Sequence, residues 1–182
     1  MQEDIEHSEL IYHGRVFDLS VVDVTLSNGK RAKREIITHP GAVAIAALDA
    51  DDCLLMVRQY RSAAGRVLLE VPAGTLEPEE TRSPEECAVR ELQEEAGFKP
   101  GSLQPLGGIY VAPGYTTEYI YLFLATDLTP SRLASDDDEM IEVVRVPFEE
   151  AMRMIETDEI CDAKSIAALT RAWGFLQNSR RG

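Results

Sequence analysis

The chain has 182 residues, which fits one domain, or one domain with a small appendage. Hydrophobic residues make up 45% of it, which excludes a disordered chain, and its longest apolar run (residues 42–48) falls far short of the ~20 residues of a membrane span. A formal net charge of −14 sets the surface against nucleic-acid phosphates and anionic lipids, so neither is expected as a partner.

The first ten residues are acidic and hold no apolar core, so no signal peptide is expected and the assigned location is cytoplasmic. Residues 9–38 read as an antiparallel β appendage. Val21, Val22, Val24 and Leu26 lead into Asn28-Gly29, a two-residue hairpin signal, and the return strand runs to Thr38. His39-Pro40-Gly41 breaks the chain, which places a boundary between residues 1–40 and a main domain over 41–182. Strands are predicted at 42–48, 53–60 and 67–71, then a loop from Pro72-Ala73-Gly74 to Thr81. A helix follows over 84–96. Ser83 is its N-cap, Pro84 its first residue, Glu86 the partner in a capping box and Gly97 its stop. Strands at 103–111, 118–125 and 141–146 and helices at 148–156 and 163–177 complete a mixed α/β pattern. Cys53, Cys87 and Cys161 match no CxxC spacing and read as reduced structural thiols.

The acids are clustered. Eight glutamates fall between Glu77 and Glu95, and Asp136 to Glu139 form a second group. On a helix, Glu91, Glu94 and Glu95 stand at i, i+3 and i+4 and share one face. Ala88, Val89, Leu92 and Ala96 form a separate stripe suited to the core. Arg90 alone is placed to neutralise the acids, by reaching Glu94. Three carboxylates on one face suit either solvent or hard divalent cations with oxygen ligands.

Gly74, Glu80 and the run Arg90-Glu91-Leu92-x-Glu94-Glu95-x-Gly97-Phe98 resemble the Nudix box: Gly, five residues, Glu, seven residues, then R-E-U-x-E-E-x-G-U, with U apolar. The second half matches throughout. The first half departs, because nine residues rather than seven separate Glu80 from Arg90, and Thr81-Arg82 look like the insertion. Arg58-Gln59-Tyr60-Arg61, Leu69 to Gly74, and Asp137 to Val144 resemble the ADP-ribose pyrophosphatase branch, as does Pro113, fifteen residues past the box.

The resemblance implies a Nudix fold, with a mixed β-sheet sandwiched between helices, and an N-terminal β region exchanged between the subunits of a homodimer. It also implies hydrolysis of the diphosphate of ADP-ribose to AMP and ribose 5-phosphate. Two or three magnesium ions, or manganese, would be held by Glu91, Glu94, Glu95 and the carbonyl of Ala73. Arg58, Arg61, Glu70, Pro113 and Glu118 would bind substrate. Glu139 would be the general base, with Asp137 and Asp138 as close runners-up, and Glu94 is counted as both ligand and catalytic residue. Tyr12 and Phe17 are candidates to stack on adenine, against a reading as ordinary core residues. Alternatives are a pyrophosphatase for another nucleoside diphosphate sugar, such as GDP-mannose or ADP-glucose, a cleaner of oxidised nucleoside triphosphates, or a sensor that binds ADP-ribose without cleaving it.

Overall fold

The structure, a computed structural model, describes residues 2–77, 83–134 and 140–179. Three antiparallel strands come first: β1 (Glu3–His13), β2 (Asp18–Leu26) and β3 (Arg31–Thr38), in the order β1-β2-β3. The β2–β3 connection differs from the two-residue turn read from Asn28-Gly29. The Gly29 N–H donates to the Leu26 carbonyl (2.8 Å), Gly29 takes φ +78°, and the Leu26 N–H closes on Lys30 (2.8 Å). This is a three-residue loop whose left-handed glycine forms a bulge. β1 also begins earlier than residue 9. Its acidic first half has weak strand propensity and is carried by its ladder to β2, which pairs Glu3 with Leu26.

A second, mixed sheet holds β4 (Ala42–Leu48), β5 (Cys53–Arg61), β6 (Arg66–Glu70), β7 (Ala73–Thr75), β9 (Ser102–Tyr110), β10 (Tyr119–Thr126) and β12 (Ile141–Pro147). The short β8 (Phe98–Lys99) and β11 (Thr129–Pro130) pair with each other. The order of the mixed sheet is β12-β5-β4-β10-β9, with β6 paired to β5 and β7 to β4. Its centre is β4 (Ala42–Leu48), parallel to β10 (Tyr119–Thr126) and antiparallel to β5 (Cys53–Arg61). Every residue of β4 is buried. A strand covered on both faces needs an unbroken apolar run, and residues 42–48 supply it. One face, with Ala44, Leu54, Met56, Leu122 and Leu124, packs on α2 (Phe148–Glu156) and α3 (Ala163–Ser179). The other, with Val43, Ile45, Leu55 and Phe123, packs on Cys87 and Ala88 of α1 (Pro84–Glu91) and on Leu92 and Ala96 beyond it. This is the expected mixed sheet between helices. β6 (Arg66–Glu70), β9 (Ser102–Tyr110) and β12 (Ile141–Pro147) lie within a residue or two of their predicted spans. Among the described residues, no helix is long and apolar enough to cross a membrane.

Two local expectations change. The segment after Pro72 is no simple loop: β7 (Ala73–Thr75) pairs with β4, setting Gly74 opposite Val43. The helix from Pro84 is α-helical only to Glu91 and continues as a π-helical turn over Leu92–Ala96. The Ser83 side chain makes no capping hydrogen bond, so the capping box does not form. Instead the Glu86 N–H closes the first turn on the Ser83 carbonyl (3.0 Å).

Candidate active site

The carboxylate helix lies against β7, and its chemistry follows from that contact. Glu91 is 9% exposed, and its carboxyl group occupies the space over Gly74. A Cβ at position 74 would stand 1.9 Å from Glu91 Cδ and 2.0 Å from Oε1, so this approach requires glycine. One turn on, Glu95 is 6% exposed, and its Oε2 accepts the Ala73 N–H at 2.9 Å. Glu94 is half-buried. Arg90 Nη1 lies 2.8 Å from both Glu91 Oε1 and Glu94 Oε2, and Nη2 reaches the Thr75 carbonyl at 3.5 Å. Gly97, at φ +80°, ends the helix as a left-handed cap. A π turn inserts an extra residue into the helical repeat and is common at functional sites. Here it spans the stretch that holds Glu94 and Glu95.

Glu91 and Glu95 are buried and Glu94 is half-buried beside them, with Arg90 between Glu91 and Glu94. Carboxylate oxygens of this kind suit a hard divalent cation. The carboxylate seated on Gly74 and the one tied to Ala73 bring Glu91 and Glu95 to the same short strand. The donor set thus fits magnesium in kind. In the structure itself the three side chains are turned to the protein partners just named. Among the described residues, no three His, Cys, Asp or Glu side chains already converge as a metal cage.

A second constellation surrounds Glu70, which is 1% exposed. Arg61 Nε donates to Glu70 Oε1 (3.0 Å) and Nη2 to Oε2 (2.7 Å), a two-pronged guanidinium–carboxylate contact. Lys164 Nζ donates to the same Oε2 (2.5 Å) and to Asp162 Oδ1 (2.9 Å). Burial pushes the Glu70 carboxyl up in pKa, but the Arg61 hydrogen bonds and the Lys164 charge outweigh it and hold it below the ordinary carboxylate range. Ser165 Oγ accepts the Val71 N–H (2.9 Å), so the start of α3 is fastened to the chain that leads into Ala73-Gly74. Lys164 was not anticipated from the sequence. Asp162 is the local signal, since its Oδ1 caps α3 by accepting the Ser165 N–H (3.1 Å).

The remaining candidates are distributed unevenly. Side chains alternate along β5, so Arg61 shares a face with Leu55, on the carboxylate-helix side. Arg58 shares the opposite face with Leu54 and Met56, and its Nη1 lies 3.6 Å from Glu142 on the exposed edge. The structure therefore brings Arg61, Glu70, Glu91, Glu94 and Glu95 to one side of the sheet, where Glu95 meets the backbone of Ala73, whose side chain packs on the other face, as does Arg58. Pro113 and Glu118 sit on the β9–β10 connection. Ile120, Ala42 and Thr75 lie in one row across β10, β4 and β7, which sets Glu118 at the same sheet end as Gly74. That connection is strapped to β3: the Ile37 N–H donates to Tyr115 (2.8 Å), Thr117 to Ile37 (2.9 Å) and His39 to Thr117 Oγ1 (3.0 Å). Tyr12 and Phe17 contact each other at a centroid distance of 6.0 Å and are exposed, so they are not core residues. Glu139, Asp137, Asp138 and Glu80, with the Thr81-Arg82 insertion, lie outside the described residues. Cys53, Cys87 and Cys161 are reduced thiols, joined in no disulfide.

Comparison with known proteins agrees with this geometry. The family model for the NUDIX domain matches residues 38–169. The chain is 40% identical over 171 residues to an ADP-ribose pyrophosphatase of Bacillus subtilis, covering 93% of this chain and 91% of that one. It is 37% identical over 170 residues to a methanol dehydrogenase activator of Bacillus methanolicus, covering 92% and 91%. The crystal structure of an ADP compounds hydrolase superposes with a TM-score of 0.88 at 29% identity, covering 100% of this chain and 98% of that one. With the box glycine under Glu91 and the box carboxylates gathered on β7, the chain belongs to the Nudix domain family.

Proposed function

We propose that this Nudix protein hydrolyses the diphosphate of ADP-ribose to AMP and ribose 5-phosphate. The observation that carries the reading is the arrangement of Glu91 over Gly74 and Glu95 on the Ala73 N–H, with Arg90 between Glu91 and Glu94. The names of the ADP-ribose pyrophosphatase and ADP compounds hydrolase relatives support the substrate class.

A diphosphate and a face of carboxylates repel each other, so cations must stand between them. Glu91, Glu94, Glu95 and the Ala73 carbonyl would hold two or three magnesium ions, or manganese. Such ions, when bound, neutralise phosphate charge and acidify water. Arg61, aimed by Glu70, pairs with a phosphate oxygen, and its planar fork suits that partner. Pro113 and Glu118 shape the far side of the substrate pocket. Glu139, in the acidic segment before β12, takes the proton from the attacking water, with Asp137 or Asp138 as the other assignments. Water adds to one phosphorus, the bridging P–O bond breaks, and the leaving phosphate keeps the bridging oxygen. Positioning and charge supply most of the rate, and no covalent intermediate is needed. Residues 1–40 form a dimer-exchanging unit in this reading, and the working assembly is a homodimer.

The test is kcat/KM with magnesium for ADP-ribose, GDP-mannose, ADP-glucose, a diadenosine polyphosphate and 8-oxo-dGTP. ADP-ribose is expected to lead by at least about tenfold and to yield AMP. A lead by another sugar nucleotide would keep the chemistry and overturn the substrate. Binding of ADP-ribose without turnover would make the protein a sensor.

A further inference from the structure

The chain changes neighbours at the corner between β6 and β7. Glu70 is the last residue paired to β5, opposite Val57, and Ala73 is the first paired to β4, opposite Ala44. Val71 and Pro72 fall between the two ladders. Pro72 has no N–H, and Val71, at 1% exposure, carries a buried one. A buried donor without an acceptor is costly, so the Val71 N–H needs a partner outside the sheet. Ser165, 94 residues further on, provides it: the fully buried Oγ accepts the Val71 N–H at 2.9 Å. The serine is itself fixed, because its N–H donates to Asp162 Oδ1 (3.1 Å) in the first turn of α3. The next two residues are held by other elements. The Pro72 carbonyl accepts the Ile45 N–H of β4 (2.9 Å), and the Ala73 N–H donates to Glu95 Oε2 (2.9 Å). Three successive residues are thus tied to α3 on one face of the sheet, to the sheet itself, and to the carboxylate helix on the other face.

We propose that Ser165 is a positioning residue for the metal site. It holds the Val71-Pro72-Ala73 corner so that the Ala73 backbone meets Glu95. This rests on the reading of Glu95 and the Ala73 carbonyl as magnesium ligands. Without the hydroxyl, the Val71 N–H either stays buried and unpaired or moves toward another acceptor. The corner shifts, and the Ala73 N–H and carbonyl shift with it. Metal affinity then falls through geometry alone, with every carboxylate still in place.

The experiment measures Mn2+ binding to the substrate-free protein, from the electron paramagnetic resonance signal of the free ion, together with the thermal midpoint in chelator. The unmodified protein is compared with Ser165→Ala, Ala172→Gly and Glu95→Gln. Ala172 is as buried as Ser165 and lies about two turns further along α3, so its glycine variant loosens the same helix without removing the acceptor of Val71. Ser165→Ala is expected to weaken Mn2+ binding about tenfold, and Ala172→Gly less than about twofold, although both lower the thermal midpoint. Ser165→Cys, a weaker acceptor of similar size, should fall between the alanine variant and the unmodified protein, and it replaces the alanine variant if that does not fold. Mn2+ binding that is unchanged in Ser165→Ala, or weakened no further than in Ala172→Gly, would show that the serine serves the fold alone and overturn the proposal. If Glu95→Gln leaves Mn2+ binding unchanged, the ligand reading falls, and the proposal with it. If Glu95→Gln weakens binding but Ser165→Ala does not, only the proposal falls.

Discussion

Gly74 shows how one residue links backbone to chemistry. No other residue lets the Glu91 carboxyl lie on β7, because a single methyl group would overlap its carbon and both oxygens. Gly74→Ala is therefore expected to displace Glu91 by about an ångström or more. The clash meets only the end of a flexible side chain, so the fold should change little, whereas misplacing a reacting group by an ångström costs about 100-fold in rate. The kcat should fall with a nearly unchanged thermal midpoint; a variant with normal kcat would separate Glu91 from the site. Glu70 gives the second residue-scale prediction. Its folded pKa lies below the ordinary value of 4.5, so in that window the unfolded chain binds more protons than the folded one. The stabilisation is complete above the ordinary value and is lost as pH falls through the lowered one. Glu70→Gln should lose about 3 kcal/mol at neutral pH, because Arg61 and Lys164 lose the charge of their shared buried partner. It should also flatten the acid limb of the stability profile below pH ~4.5. An acid limb identical to that of the unmodified protein would show that another group controls it.

At the scale of elements, the carboxylate helix was legible because its spacing sets three acids on one face and its apolar residues on another. The π turn was not, since spacings of three and four residues look alike whether the helix is regular or widened. β7 was hidden for a related reason: three residues with a central glycine carry no strand pattern, and pairing with the buried β4 makes them a strand. The Arg58–Arg61 pair was read as a unit from proximity in sequence, but alternation along β5 sends the two to opposite faces. Lys164 carried no local sign of its link to Glu70, because only the packing of α3 against β6 joins them. The helix also supports a prediction of its own. Glu95→Gln keeps an oxygen to accept the Ala73 N–H, so β7 should stay in place, while the negative charge is lost. The magnesium concentration for half-maximal activity should then rise about 10- to 100-fold, with little change in thermal midpoint. An unchanged titration would remove Glu95 from the ligands.

The whole molecule leaves one surface unaccounted for within a single chain. Every residue of β1 is exposed, including Ile5, Leu10, Ile11 and Tyr12, each more than half open to solvent. A row of apolar residues on an outer strand is a liability in a monomer, since its free edge invites pairing. The same sheet reaches the proposed substrate side, because β3 holds the 111–118 connection through Ile37, His39 and Thr117. A partner that orders β1 would thereby steady the loop carrying Pro113 and Glu118. Light scattering coupled to size exclusion should give about twice the 20.2 kDa of the chain. Charged substitutions on β1, Ile5→Lys with Leu10→Lys, should split this species and raise KM for ADP-ribose. The magnesium titration should stay as it was, because Glu91, Glu94 and Glu95 belong to the other sheet face. A particle that is monomeric before substitution, with unchanged KM after it, would show that the N-terminal sheet serves neither assembly nor substrate. A dimer that splits without a change in KM would keep the assembly role and remove the coupling through β3.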